Sequence, residues 1–386
     1  MLATVSTAVV QGVDGHPVTV EVHVSNGLPG YTLVGLPDAS CRESRDRVRA
    51  AVLSTGFKWP DRRVTINLAP TGLRKQGAGL DLPIALGVLA ASGQIEVAAV
   101  RSYGAVGELG LDGSIRPVAG LVSLADAMVA EEVFVPQCGA EQAAVVRPGQ
   151  IRGAATLGDI VAGLVGSGPL PPIVEPLPGP RTVEQRAGDL AEVRGQPFAR
   201  WALEISAAGG HHVLMIGPPG AGKTMLAGRL VGLLPDLSAA QALLTTRVHS
   251  AAGLAVPPGG LVERPPFRAP HQGSSAVAML GGGSAAMRPG EISCAHNGVL
   301  FLDELGEFSV PILDALRQPL EEGVIRVSRA ARAVTLPARF LLVAAMNPCP
   351  CGEGAQDGHC RCKIGEHTSE LQSHSDLVCR LLLEKK

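Results

Sequence analysis

The chain has 386 residues, 46% of them hydrophobic, and a formal net charge of −2 at pH 7. That length and apolar content suit two or three domains with buried cores. The charge excludes a protein that is basic all over, so any nucleic-acid contact has to be local. No apolar run reaches membrane-spanning length and no charged-then-apolar leader opens the sequence, which predicts a soluble, cytoplasmic chain with no membrane partner.

In chain order, residues 5–10 and 18–24 alternate apolar and polar side chains around Asp14-Gly15, which predicts a hairpin turning at that pair. Residues 40–55 read as a helix, 64–68 as a strand and 80–91 as an apolar helix. Asp112-Gly113 predicts a second hairpin, and 133–136 ends a further strand. Residues 40–75 hold nine Arg/Lys against three acids, with Phe57 and Trp59 among them. This is either a phosphate-contacting face with a stacking aromatic or an amphipathic helix with a solvated charged side. Residues 166–180 contain six prolines and no helical or strand period, which predicts a semi-rigid extended linker.

Beyond the linker, residues 217–224 read Gly217-Pro218-Pro219-Gly220-Ala221-Gly222-Lys223-Thr224, the phosphate-binding P-loop pattern. Its glycines let backbone N–H groups converge on an anion. Residues 211–216 are expected as a short buried strand leading in and 225–234 as the helix leading out, which places the phosphate on a helix N-terminus. Lys223 supplies a point charge to the β- and γ-phosphates of ATP, and the Thr224 hydroxyl is a ligand for Mg²⁺. Residues 299–302 form a continuous apolar run, as in a strand buried on both faces, and deliver Asp303 and Glu304 at its carboxyl end. Asp303 is expected to hold Mg²⁺, and Glu304 to deprotonate the attacking water. A further strand at 340–345 leads to Asn347, a candidate to polarise the γ-phosphate and the lytic water or else a turn residue before Pro348.

Among eight cysteines, Cys349, Cys351, Cys360 and Cys362 cluster as C-x-C-x8-C-x-C, which makes them candidate ligands of a structural Zn²⁺, with a reduced metal-free loop as the alternative. His271 and His296 border the nucleotide segments without metal spacing, so a structural role and a phosphate-sensing contact stay equally open. Arg268 and Arg288 either face a partner such as DNA or pair with Glu263 or Glu291, and Arg317 is a candidate to face a neighbouring subunit.

A longer set of motifs narrows the class. Arg194-Gly-Gln, residues 267–273 (FRAPHQG), Gly281-Gly-Gly followed by Arg288-Pro-Gly-Glu-Ile, and Ala295-His-Asn-Gly come in order. Residues 316–323 (LRQPLEEG) and 347–351 (NPCPC) follow. Together they resemble the ComM/YifB family of magnesium-chelatase-like AAA+ ATPases over residues 1 to about 362. The resemblance implies an α/β fold with a P-loop AAA+ αβα core at 182–362, preceded by a linker at 166–181. It implies a homohexameric ring whose sites are completed by a neighbour's arginine. It also implies ATP-driven branch migration of DNA (branched or single-stranded) in recombination and natural transformation. A chelatase-type ATPase that remodels a protein partner is the other reading, and a fragment that binds ATP without turnover is a third.

Residues 1–165 resemble the Lon proteolytic domain, a ribosomal protein S5 domain 2-like α/β fold, through residues 74–81 and 107–121. The serine position falls at Gly79 and the lysine position near Val122, so the Lon dyad is missing. After Cys362 the family pattern stops. Residues 363–386 include EHTSELQSH, which resembles a translated sequencing adapter, and are expected to be a non-native tail that replaces the lid and the arginine finger.

Overall fold

The fold is described from a computed structural model covering residues 1–75, 77–176, 188–257, 259–283, 287–329 and 332–347. The four clustered cysteines and the 363–386 stretch lie outside the described residues. The chain divides into two compact units, the first built from 1–180 with 246–261 and 283–288, the second from 181–245, 262–282 and 289–386.

The first unit opens with strands β1 (Leu2–Gln11), β2 (Asp14–Ser25) and β3 (Gly30–Val34), helix α1 (Ala39–Ser54) and strand β4 (Arg63–Ala69). It continues through α2 (Asp81–Ala91), α3 (Val97–Arg101), β5 (Tyr103–Ala105), β6 (Glu108–Leu109) and β7 (Ile115–Arg116). Helix α4 (Leu121–Ala127), β8 (Glu132–Pro136), α5 (Ala140–Ala144), β9 (Ile151–Ala154) and α6 (Leu157–Leu164) complete it. A seven-stranded mixed sheet runs β3-β4-β2-β1-β5-β8-β9. Helix α2 is buried along its whole length, as its unbroken apolar sequence requires.

The first hairpin does not turn at Asp14-Gly15. Gln11 pairs with Asp14, so the turn is Gly12-Val13, and Gly12 takes the positive φ of 67°. Type II′ turns want glycine at the first central position, and Gly12 competes better than the Asp-Gly pair. Gly15 is needed for another reason: a Cβ there would lie 2.0 Å from the Ser123 carbonyl oxygen of α4. The second hairpin forms at Asp112-Gly113, where the Asp112 carboxylate accepts from the Ser114 amide and hydroxyl. Part of the linker is anchored, too. Val174 N–H donates to the Ile151 carbonyl, Ile173 bridges to Arg152, and Leu170 packs on the core. Gly79 sits in a 3₁₀ turn beside Val106 and Val118, and Val122 is fully buried in α4.

The second unit contains α7 (Pro197–Gly209), β10 (Val213–Ile216), α8 (Lys223–Leu230) and α9 (Ala239–Ala252), through which the division between units passes. There follow β11 (Phe267–Arg268), α10 (Ala276–Leu280), β12 (Gly281–Gly282), β13 (Arg288–Pro289), α11 (Glu291–Cys294) and β14 (Val299–Leu302). The last are α12 (Val310–Ala315), α13 (Arg317–Glu322), β15 (Val324–Arg329), β16 (Arg332–Pro337) and β17 (Leu341–Met346). Four parallel strands run β10-β17-β14-β11, and β15 pairs with β16 as a hairpin. Strand β14 is buried at every position, whereas β10 is not the buried strand expected. Among the described residues it lies at the sheet edge and leaves Ile216 59% exposed.

Because α4 packs so closely on the start of β2, Gly15→Ala should cost about 1–3 kcal/mol by overpacking. The check is the thermal midpoint of the purified chain, which is expected to fall; an unchanged midpoint means that α4 can withdraw.

Candidate nucleotide-binding site

Strand register builds the site. Ile216 of β10 pairs with Met346 of β17, and Leu302 of β14 pairs with Ala344 of β17. All three strands run the same way, so their carboxyl ends release Gly217, Asn347 and Asp303 side by side. Helix α8 starts at Lys223, two residues earlier than its apolar pattern suggests, and a 3₁₀ turn over Val231–Leu233 takes up its expected last turn. The loop between β10 and α8 needs positive φ at Gly220 (79°) and Gly222 (81°), which a side chain would resist.

Residues 219–225, Asp303, Glu304, Met346 and Asn347 line one cavity of about 440 Å³. Lys223 Nζ donates to the carbonyls of Gly217 (2.6 Å) and Pro218 (3.0 Å) and to Asn347 Oδ1 (3.1 Å). Thr224 Oγ1 donates to Asp303 Oδ2 at 2.7 Å. The other Asp303 oxygen accepts the Glu304 amide at 3.0 Å. Glu304 itself is exposed and has φ 51°, a left-handed conformation that costs a residue with a Cβ about 1 kcal/mol or more. Residues 79 apart in sequence thus present two hard oxygens, Thr224 Oγ1 and Asp303 Oδ2, at the same point of the cavity wall. That donor set suits Mg²⁺, and Lys223 supplies the positive charge that a triphosphate requires.

The structure therefore gathers Lys223, Thr224, Asp303, Glu304 and Asn347, as the sequence suggests, and adds Met225 and Met346 as apolar walls. Met346 carries a readable signal, being the last residue of an apolar strand; Met225 does not, because it reads equally well as core. Gly217 and Pro218 are not lining residues and take part through their carbonyls.

The neighbouring candidates resolve differently. Arg268 pairs with Glu291 through two hydrogen bonds of 2.6 and 2.7 Å, so the intramolecular alternative holds for it. Arg317 pairs with Asp314 at 3.2 Å, and Arg288 is exposed. His271 accepts the Gly273 amide within its own turn. His296 is buried and its Nδ1 accepts the Arg339 amide at 3.0 Å. Burial, with the nearby Arg339 charge, lowers its pKa to about 4. It is a neutral structural acceptor. Among the described residues no group of three His, Cys, Asp or Glu side chains could hold a metal ion, and no helix is long and apolar enough to cross a membrane.

A phosphate loop between a strand and a helix, with an acidic pair at the end of another parallel strand of the same sheet, defines an AAA+ ATPase-type α/β protein. Comparison narrows the class. The family described as magnesium chelatase, subunit ChlI, matches residues 189–381, ending within the 363–386 stretch, and a second description, subunit ChlI of Mg-chelatase, matches residues 20–138. YifB of Escherichia coli (strain K12), described as uncharacterized, is 46% identical over 367 residues, 94% of this chain and 71% of the relative. Competence protein ComM of Haemophilus influenzae is 46% identical over 360 residues, 91% of this chain and 69% of the relative. An uncharacterized protein of Mycobacterium tuberculosis (strain H37Rv) is 47% identical over 345 residues, 89% and 68% respectively. The chain belongs to the ComM/YifB family of magnesium-chelatase-like proteins. A solved complex of magnesium chelatase subunits BchI and BchD shares 21% identity over 52% of this chain and 68% of that one, with a TM-score of 0.36.

His296 gives a pH prediction. Its folded pKa lies below the unfolded value, so its contribution is full above about pH 6.5 and is lost as pH falls through about 4. Unfolding by denaturant at pH 7 and pH 5 should show a loss of about 1–2 kcal/mol on acidification. His296→Gln should flatten that part of the profile; an unaltered slope would remove His296 from the account.

Proposed function

We propose that the chain is an ATP-binding and ATP-hydrolysing motor subunit that assembles with copies of itself into a ring, a homohexamer, and moves branch points in DNA. The observation that carries the hydrolytic half is the convergence of Lys223, Thr224, Asp303, Glu304 and Asn347 on one cavity. Backbone N–H groups of 217–222 and the Lys223 ammonium hold the phosphates. Thr224 and Asp303 would hold Mg²⁺, which neutralises developing phosphate charge when bound. Glu304 takes the proton of the attacking water, and Asn347 orients that water against the γ-phosphate. The 3.1 Å bond from Lys223 to Asn347 supports this division of labour, because both side chains reach one point.

The DNA half is supported by kinship. The relative named as a competence protein is 46% identical, and the likeness runs through both units rather than the nucleotide-binding one alone. A second reading is an ATPase that remodels a protein partner in a metal-insertion system. It is favoured by the magnesium-chelatase descriptions that match both parts of the chain. ATPase assays with and without a four-way DNA junction separate the two. The motor reading expects stimulation that fades as salt rises, and its absence from low to physiological salt favours the protein-remodelling reading.

Glu304→Gln should leave ATP binding within a few-fold of the parent and reduce turnover by about 10²–10⁴-fold. Lys223→Ala should weaken ATP binding itself. Equal turnover in the parent and the Glu304→Gln variant, measured as phosphate release, would refute the assignment of the base.

A further inference from the structure

The nine basic residues at 40–75 are not one population. Arg47 is turned inward and forms a two-pronged pair with the buried Asp81, at 2.7 and 3.1 Å, with its remaining contacts to Ser40 and Glu43. Lys75 is fully buried and donates to the Pro70 carbonyl. Both are engaged inside the first unit. The other seven are exposed, and three of them, Arg42, Arg45 and Arg49, lie on α1 at spacings of three and four.

At 100° per residue these three side chains fall within about 60° of one another around the helix axis and span about 10 Å along it. They form one stripe beside the face that buries Cys41, Ser44, Val48, Ala51 and Val52. None of the three is paired with a carboxylate among the described residues. Of the acids on α1, Glu43 is engaged with Arg47, and Asp46 lies exposed next to the stripe. The stripe is therefore cationic, ordered by the helix and free to take an anion. The aromatics, in contrast, are occupied. Trp59 packs on Tyr31 with ring centroids 6.3 Å apart, and it and Phe57 lie against the core.

We propose that the Arg42–Arg45–Arg49 stripe of α1 is a contact surface for the phosphate backbone of duplex DNA. Arginine forks match phosphate oxygens, and a rigid row spanning about 10 Å can meet successive phosphates of one strand, which carries a charge every 3.4 Å or so of helix rise. With no aromatic face presented, the contact reads charge and shape and is indifferent to base sequence. The surface belongs to the first unit and the nucleotide site to the second. The inference rests on the DNA half of the proposed function and adds where the duplex is held.

The test uses the whole chain and a fluorescent 40-base-pair duplex, with binding followed by anisotropy across a salt series. The triple variant Arg42→Gln, Arg45→Gln, Arg49→Gln should lower the slope of log affinity against log salt by about 2–3, near 0.9 for each phosphate no longer neutralised. It should weaken binding at about 0.1 M salt by tenfold or more, equally for unrelated sequences. ATP binding should be unchanged, and an unaltered circular-dichroism spectrum and thermal midpoint report that the first unit, which carries the substitutions, is folded. The triple Lys replacement keeps the charge and should keep most of the slope. In the parent chain, duplex DNA should protect these arginines from an arginine-specific dicarbonyl reagent, a readout that needs no variant. DNA binding with the parental slope in the triple Gln variant, or no protection, overturns the stripe and leaves the DNA motor standing. No binding of any DNA by the parent chain overturns both.

Discussion

Parallel register is the constraint on which the candidate nucleotide site depends. Strands β10, β17 and β14 each end in a residue that is useful only beside the other two, and their hydrogen-bonded alignment puts the three ends level. Such a sheet needs cover on both faces, so its central strands are apolar throughout, and β14 is buried at all positions. Polar groups are forced to the ends. Chemistry appears at one edge because the interior cannot hold it.

That logic makes the site readable. Residues 299–302 followed by two acids become legible as a strand with a functional end only because a phosphate loop precedes them, and that loop states its own geometry through its glycines. Other features mislead where two local signals compete. Asp14-Gly15 is a strong turn pair, yet Gly12 takes the turn, and Gly15 serves a close approach that only tertiary packing reveals. Ile216 ends an apolar run and is still exposed, because strand order in a sheet is not written in a single strand. The proline-rich segment lacks a period of its own and borrows order by pairing with β9.

Charge is the least legible property. A count of nine cations against three acids cannot say which are structural, since an inward arginine and an outward one look alike in sequence. Arg47 and Lys75 prove to be internal, Arg268 to be paired, and Arg42, Arg45 and Arg49 to be without a carboxylate partner among the described residues. The same holds for His296, for which the sequence leaves a structural role and a phosphate-sensing contact equally open. Burial decides for the structural role and makes it an acceptor for a backbone amide.

Asp303 divides its two oxygens between the Thr224 hydroxyl and the Glu304 amide. One carboxylate thus fixes the Thr224 hydroxyl and, on its other side, the backbone that aims the neighbouring acid. The two acids form a single energetic unit, and their contributions will not add. Removing Asp303 also releases the left-handed turn at Glu304, so a double-mutant cycle across the pair should show coupling of about 0.5–3 kcal/mol rather than two independent losses.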